Sequence, residues 1–334
     1  MISALYSLLR EIVVADEEQT GYNTVDYKRL SLSFGEFMNL FDVSVYYSRF
    51  PNFGDLLNEY ILQSLYHIHI EHRLFTDAEL VSIGSILDKL LDHGNITEYY
   101  KNMQKDALAD KPIHVWGTGL MFPYQAEEQH FVRPLEVHAV RGDLTRRTVA
   151  DILGKQVPCA LGDPGILASY VLPAEEKQYD MGIIPHFVDA ELPVIEKMQD
   201  HYPNSLIINV RADPETVLKQ ISSCRRTIST SLHGLVISDS YGIPNCWCEA
   251  SDNVLGGGFK FHDYFSSFCT DREPFNLRDG SFPDDDSLYV TSFQTSSELR
   301  KQQKALIHSF PYSLLLKGFE KKIDHKIKKL IKNG

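Results

Sequence analysis

The chain has 334 residues, of which 43% are apolar and 23% charged, and its formal net charge is −12. This length allows two domains with separate cores, and the composition is that of a soluble globular protein. The negative charge argues against non-specific binding to nucleic acid, whose phosphates it would repel. It does not exclude a small anion held in a local basic pocket.

The first eighteen residues lack a basic start, a long apolar run and a small-residue cleavage site, so no signal peptide is predicted. No apolar stretch is long enough for a membrane span, and the expected location is the cytoplasm. The five cysteines include no CxxC pair, which favours free thiols in a reducing compartment. Cys246 and Cys248 share a strand face, where buried packing is favoured over a metal site.

The first half of the chain alternates strand-like and helix-like segments. After a predicted helix at 2–14, we predict strands at 43–47, 80–83, 113–116 and 137–140 and helices at 56–66 and 143–153. The alternation restarts after a polar linker at 173–178, with strands at 181–184, 206–210 and 227–229 and helices at 192–199, 214–222 and 235–241. The sequence therefore predicts an α/β fold with two parallel Rossmann-like sheets, each with helices packed on both of its faces.

The C-terminal part of the chain does not continue the alternation of strands and helices. Residues 270–292 are acidic and irregular, with no predicted regular structure, and a capping box at 295–298 predicts a helix to about residue 310. The tail at 317–332 carries seven lysines around an apolar stripe. Such a helix can rest on an anionic membrane or pack on the first domain, and both interpretations stay open.

The segment 226–248 predicts a strand, a sharp turn, a helix and a second strand. Ser231, His233 and Gly234 lie in the turn, where open α/β sheets bind ligands beside the positive end of a helix. We expect His233 and its neighbours to bind an anion. His186 falls at an equivalent strand end, which makes it a further candidate.

Other strand ends carry polar or glycine-rich turns. Asn52, Gly54 and Asp55 form one turn, in which Asp55 is either a base or hydroxyl anchor or merely a helix cap. Gly117 with Thr118 forms another that admits phosphate or sugar. It matches neither a P-loop nor a complete dinucleotide fingerprint, so a nicotinamide or flavin cofactor is not expected.

A further turn carries an acid, and three arginines are candidate cations. Asp163 lies in a GDPG turn, where it can accept hydroxyls or a proton or simply make the turn. Arg141 and Arg211 lie at strand ends, and Arg226 begins the strand that precedes the His233 turn. A charge-assisted hydrogen bond contributes about 1.5–3 kcal/mol, more than a helix terminus alone, so some arginine is expected to bind the anion.

Seven of these segments, taken together and in order, resemble the polysaccharide pyruvyl transferase family. They are NFGD at 52–55, WGTG at 116–119, VRGDLTRR at 140–147, LGDPG at 161–165, IPHF at 184–187, STSLHGLVISDSYGIP at 229–244 and KFHDYF at 260–265. The resemblance spans roughly residues 43–265. It is greatest to members that act on bacterial exopolysaccharide or capsule repeat units.

The resemblance implies a GT-B-like arrangement of two Rossmann-like domains facing across a cleft. The expected boundaries are 1–173 on the acceptor side, 174–292 on the donor side, and 293–334 as C-terminal helices packing back on the first domain. It also implies transfer of pyruvate from phosphoenolpyruvate to two hydroxyls of a lipid-linked, galactose-type sugar as a cyclic ketal. No metal or other cofactor is expected for this chemistry.

The resemblance further implies that the catalytic residues are His233, Asp55 and His186. The donor-binding set is Arg141, Arg211, Arg226, Ser231 and Gly234, and the acceptor-binding set is Asn52, Gly54, Gly117, Thr118 and Asp163. One position departs from the family: many relatives have arginine immediately before the Leu-His pair, where this chain has Ser231. Two alternatives stay open. One is a nucleotide-sugar glycosyltransferase using Glu249 or Asp252 for the ribose, and the other is a non-catalytic carbohydrate-binding protein.

Overall fold

A computed structural model describes residues 42–92, 102, 110–125, 127 and 129–315. The predicted helix at 2–14 and the basic tail at 317–332 lie outside the described residues. The described residues all belong to one compact unit, which contains both sheets. The domain boundaries at 173 and 292 stay a prediction. Within the described part of the chain, no helix is both long and apolar enough to cross a bilayer.

The first sheet has six parallel strands in the order β2-β1-β3-β4-β5-β6. Its strands are β1 (Asp42–Tyr46), β2 (His69–His72), β3 (Leu80–Val81), β4 (Ile113–Trp116), β5 (Leu135–Val140) and β6 (Ala160–Leu161). The second sheet has five parallel strands in the order β11-β10-β9-β7-β8. These are β7 (Tyr179–Ile184), β8 (Ser205–Ile207), β9 (Cys224–Ser229), β10 (Asn245–Glu249) and β11 (Phe275–Asn276). The predicted α/β class with two parallel sheets is confirmed.

Helices follow most strands, and their ends obey local sequence signals. The α-helices of the described residues are α1 (Phe53–Tyr66), α2 (Asp143–Leu153), α3 (Ala168–Val171), α4 (Pro193–His201), α5 (Pro214–Ser222), α6 (Leu232–Ser240), α7 (Phe259–Ser266) and α8 (Ser296–Ser309). Proline begins α4 and α5, where its missing N–H costs nothing. The Thr295 side chain accepts a hydrogen bond from the Glu298 N–H, so the predicted N-terminus of α8 is confirmed.

The sequence pattern did not indicate helices α3 and α7 or the edge strand β6. β2 and β11 are further edge strands that the sequence pattern did not indicate, and β11 falls within the segment predicted to be irregular. Each pairs on one side only, so neither needs the apolar alternation that marks a half-buried strand. β8 is also shorter than predicted, because the chain leaves the sheet after Ile207.

Each half of the chain contributes a helix that packs on the other half. Phe53, Leu57 and Ile61 of α1 join a core cluster with Ile184 and residues of α5 and α6 from the second half. In return, α7 packs on α2, where the Gly142 backbone lies directly against Asp263. α8 returns to the first sheet, and the Trp116 indole N–H donates to the Leu306 carbonyl at 3.0 Å. These contacts bring the turn before α1 to the carboxyl ends of the strands of the second sheet.

Candidate functional site

The candidate site lies at the carboxyl ends of β7 and β9. Strand order reverses between these neighbours, which is where open α/β sheets bind ligands. His186 follows β7, and Ser231 is the N-cap of α6 after β9. The His186 N–H donates to Thr230 Oγ1 at 2.8 Å, which ties the two turns together. The local prediction of a strand–turn–helix at this position is confirmed.

His233 occupies the first turn of α6 with its ring between two predicted site residues. Its Nε2 lies 3.5 Å from Asp163 Oδ2, which is ion-pair range but too long for a strong hydrogen bond. Neither atom has a hydrogen-bond partner among the described residues, and both are fully buried. The exposed tenth of the His233 side chain therefore lies elsewhere on the ring.

Gly54 is the residue that makes room for this ring. A Cβ atom added to Gly54 would lie 2.1 Å from His233 Nδ1, well inside contact distance. The first turn of α1 thus meets the first turn of α6, and the core cluster around α1 holds them together. Gly234 is required for a different reason, since a Cβ there would lie 2.2 Å from Ser229 Oγ on β9.

Asp55 lies in the first turn of α1, one residue beyond Gly54. Its Oδ2 accepts a hydrogen bond from Asn52 Nδ2 at 3.1 Å, while the Asn52 carbonyl accepts from the Asp55 N–H. Burial raises the pKa of Asp55, against the opposing effects of the Asn52 hydrogen bond and of the His233, Lys89 and Lys260 charges. A carboxylate with a raised pKa is a better proton acceptor than the carboxylate of an exposed helix cap.

Lys260 of α7 is a buried cation that sequence reasoning did not single out. Its side chain makes no hydrogen bond or ion pair within the described ranges, and only 7% of the residue is exposed. Burial, together with the Arg141 charge, lowers its pKa to about 8, while Asp55 and Asp189 oppose the shift. Lys260 belongs to the KFHDYF segment, so only the motif could have indicated it.

Asp189 is a second residue that the sequence did not indicate. It is fully buried in the loop after β7, and its Oδ1 accepts a hydrogen bond from Ser251 Oγ. Its Oδ2 is buried without a hydrogen-bond partner among the described residues. Together with Asp55 it supplies the negative charge that helps keep Lys260 protonated.

His186 lies on the same side of the sheet. Burial, followed by the charges of Lys260 and His233, lowers the pKa of His186 to about 3, so its imidazole is neutral near pH 7. Phe187 packs against the His186 ring and against Phe50 of the turn before α1. Arg211 is exposed and lies 5.9 Å from the Phe187 ring centroid, at the margin of this group.

Arg141 is fully buried and already bonded. Its Nε donates to Asp263 Oδ2 at 2.8 Å, and its other nitrogens donate to Ser85 Oγ and to the Leu120 carbonyl. A Cβ on Gly119 would lie 2.5 Å from the guanidinium carbon, so the glycine is needed to accommodate this arrangement. Arg141 thus joins the first half to α7, the helix that carries Lys260.

The remaining predicted residues are divided between the loops of the first sheet and positions away from the site. Thr118 Oγ1 donates to the Gly84 carbonyl and accepts from the Ile86 N–H, and Gly117 packs against Pro164. Arg226 lies in the amino-terminal half of β9, away from its carboxyl end, and is paired with Asp286.

Two further sets of residues that the sequence offers as candidates already contact other side chains of the fold. Glu249 and Asp252, proposed for a ribose, both pair with Arg278. Cys246 and Cys248 lie on β10 with their sulfurs 3.7 Å apart, both buried. Their apolar neighbours are those of a core cluster, as the packing interpretation expected.

Comparison with known proteins gives the family. The family model described as polysaccharide pyruvyl transferase matches residues 25–252, which is more than half of the chain. The chain therefore belongs to the polysaccharide pyruvyl transferase family, a family of transferases that act on carbohydrate. It is also 27% identical over 237 residues to the uncharacterized protein L143 of Acanthamoeba polyphaga mimivirus, covering 69% of this chain and 75% of that protein.

One solved structure shows weak similarity. The E. coli heptosyltransferase WaaC with ADP aligns over 65% of this chain and 90% of its own, at 10% identity and a TM-score of 0.27. A score at this level supports no conclusion about function. The assignment to the family depends on the match over residues 25–252.

Proposed function

We propose that the protein transfers pyruvate from phosphoenolpyruvate to two hydroxyls of a sugar, forming a cyclic ketal and releasing phosphate. Family membership supports the transferase class and a carbohydrate acceptor. The observation that carries the finer proposal is the His233 ring, placed between the Asp163 carboxylate and the Gly54 turn at the carboxyl end of the second sheet. Near this ring lie the Asp55 carboxylate and the Lys260 ammonium, which makes no hydrogen bond or ion pair among the described residues.

His233 is the general acid in this proposal. The buried Asp163 carboxylate, 3.5 Å from Nε2, orients the ring by charge attraction, in the role that an acid has beside the histidine of catalytic triads. A proton of the His233 ring is then transferred to C3 of phosphoenolpyruvate. Protonation turns the CH₂ group into a methyl group and makes C2 electrophilic. General acid catalysis of this kind contributes about 10²–10⁴-fold.

Asp55 is the base for the acceptor. The first sugar hydroxyl adds to C2 and gives its proton to the Asp55 carboxylate, and the C2–O bond to phosphate then breaks. The second hydroxyl adds to C2 and gives its proton to the released phosphate as the ring closes, and the proton on Asp55 returns through solvent to His233. One phosphoenolpyruvate and one diol thus give one ketal and one phosphate. The raised pKa of Asp55, caused mainly by burial, makes its carboxylate a stronger base.

Lys260 takes the place of the arginine that relatives carry before the Leu-His pair. Its ammonium makes no hydrogen bond or ion pair within the described chain and is held at the site by α7. A single ammonium binds phosphate or carboxylate as a point charge, whereas arginine would bind it through two parallel hydrogen bonds. Arg141 then has a positioning role, because its guanidinium anchors α7 through Asp263. Arg211 stays a candidate for the second anionic group of the donor.

The proposed acceptor is a galactose-type sugar on a lipid-linked repeat unit of an exopolysaccharide or capsule. The test is phosphate release from phosphoenolpyruvate with and without a galactose-terminated lipid-linked acceptor. We expect acceptor-dependent release, and a loss of at least about 10²-fold in His233→Ala. His69→Ala is the matched control, because His69 is an exposed histidine on edge strand β2. Equal rates in the two variants would exclude His233 as the acid.

Calorimetry separates the activity from the alternatives. A pyruvyl transferase should bind phosphoenolpyruvate, a glycosyltransferase should bind a nucleotide sugar instead, and a carbohydrate-binding protein should bind neither donor. Binding of a nucleotide sugar without binding of phosphoenolpyruvate would overturn the proposal.

A further inference from the structure

Two histidines and a glutamate meet on neighbouring strands of the first sheet, on β4 and β5. His114 pairs in register with Glu136, and His138 is two residues further along β5, where the pairing with β4 shifts by one residue. His114 Nδ1 lies 2.9 Å from His138 Nε2 and 3.2 Å from Glu136 Oε2. One ligand atom from each residue lies within 4.8 Å of the other two.

Hydrogen bonding alone does not satisfy this arrangement. A ring nitrogen of histidine carries either one proton or one lone pair, which points in one direction in the ring plane. If His114 Nδ1 accepts a proton from His138, it faces the Glu136 carboxylate with a lone pair. If it donates to Glu136, it cannot also donate to His138. A divalent cation would bind all three atoms at once.

The donor set and spacing suit a zinc-like ion. Two imidazoles and a carboxylate are a common protein donor set for Zn²⁺, with Zn–N distances of about 2.0–2.1 Å. Two nitrogens of a tetrahedral site are then about 3.3 Å apart, so the His114 and His138 rings need to separate by roughly 0.4 Å. Rotation of the His138 and Glu136 side chains can supply this, because neither is fully buried.

The surroundings allow an ion to enter and to keep a solvent ligand. The His114 side chain is only 5% exposed, whereas that of Glu136 is 51% exposed. One side of the group is therefore buried in the fold and the other is open to water. The three residues lie on the strands themselves, not in the turns that carry Gly117 and Arg141. The group is thus separate from the donor and acceptor residues described above.

We propose that His114, Glu136 and His138 form a site for a divalent transition metal, with zinc as the best match. The ion links β4 to β5 and leaves at least one position for water. The inference does not depend on the proposed transferase activity. Because an ion bound only to the folded chain shifts the folding equilibrium, bound metal should also raise the unfolding temperature.

The test is titration of the full-length, untagged, metal-stripped chain with Zn²⁺ by calorimetry and with Co²⁺ by visible absorption. We expect one ion per chain, the strong absorption of tetrahedral cobalt, and an increased unfolding temperature. His138→Ala should weaken binding by at least about 100-fold, since loss of even an indirect ligand partner costs 10–100-fold. Glu136→Gln should weaken it as well and keep the fold, because its side chain is half exposed.

His69→Ala is the matched control. His69 is an exposed histidine that also lies 3.0 Å from a carboxylate, that of Asp42. Its loss should leave affinity and stoichiometry unchanged. Absence of stoichiometric binding to the wild-type chain would overturn the proposal. So would unchanged affinity in both His138→Ala and Glu136→Gln, or a loss of binding in Cys246→Ser instead, which would assign the ion to the cysteine pair.

Discussion

Replacing Lys260 by methionine should separate activity from stability. Methionine has a similar shape but no charge, so the substitution removes the proposed donor anchor with little change in packing. The pKa of Lys260 is lowered from 10.5 to about 8, with burial as the first cause. Each pKa unit corresponds to about 1.36 kcal/mol, so the charged ammonium costs the folded chain about 3 kcal/mol at neutral pH. Lys260→Met should recover part of this free energy of unfolding.

The activity should change in the opposite direction. A hydrogen bond from a charged group contributes about 1.5–3 kcal/mol, which corresponds to a loss of roughly 10- to 150-fold in kcat/KM for phosphoenolpyruvate. The measurements are phosphate release at varied donor concentration and urea unfolding of the same preparations. Lys177→Met is the control, because the Lys177 ammonium bonds the Ser222 and Cys224 carbonyls near the amino end of β9, away from the site. That variant should lose stability and keep kcat/KM.

The pH dependence has a definite sign. Between about pH 8 and 10.5 the folded chain loses the Lys260 proton while the unfolded chain retains it, so stability should rise with pH in this window. The same deprotonation removes the anchor, so kcat/KM for phosphoenolpyruvate should fall above about pH 8. Lys260→Met should show neither the rise in stability nor the fall in kcat/KM that deprotonation of Lys260 causes. A variant that is less stable and fully active would refute the reasoning and make Lys260 a structural residue.

Four further predictions follow from neighbouring residues. Asp163→Asn should reduce kcat by at least about 10²-fold with near-normal folding, and unchanged kcat would mean that it does not orient the histidine. Gly54→Ala should abolish turnover while far-UV circular dichroism stays normal, because the new Cβ would occupy the place of the His233 ring; full activity would contradict the observed contact. Asp55→Asn should remove the acidic limb of the kcat–pH profile, whose midpoint should lie above that of an ordinary aspartate because burial raises the pKa of Asp55. Arg141→Met should lower the free energy of unfolding by about 3–5 kcal/mol, since it leaves the Asp263 charge buried and unpaired; weaker donor binding at unchanged stability would instead favour a direct donor role.

The sequence alone predicted the class of fold and most of its central elements. Strand and helix periodicities are local, and so are the signals that end elements, such as Pro214 at the start of α5 and Thr295 at the start of α8. Placing His233 at a helix N-terminus needed only the strand and helix on either side of it. Edge strands β2 and β11 were missed because their residues are stabilised by pairing with one distant neighbour, which leaves no periodic pattern.

The partners of the site residues were decided by tertiary structure. Asp163 meets His233 across 70 residues of chain, and Arg141 meets Asp263 across 122. An arginine at a strand end predicts a cation that binds a ligand. The Arg141 guanidinium is instead buried against α7 and hydrogen-bonded to other residues of the chain. Conversely, Lys260 has no local feature that marks it as functional. Its charge lies at the site because each half of the chain packs a helix on the other, and such contacts depend on the whole core.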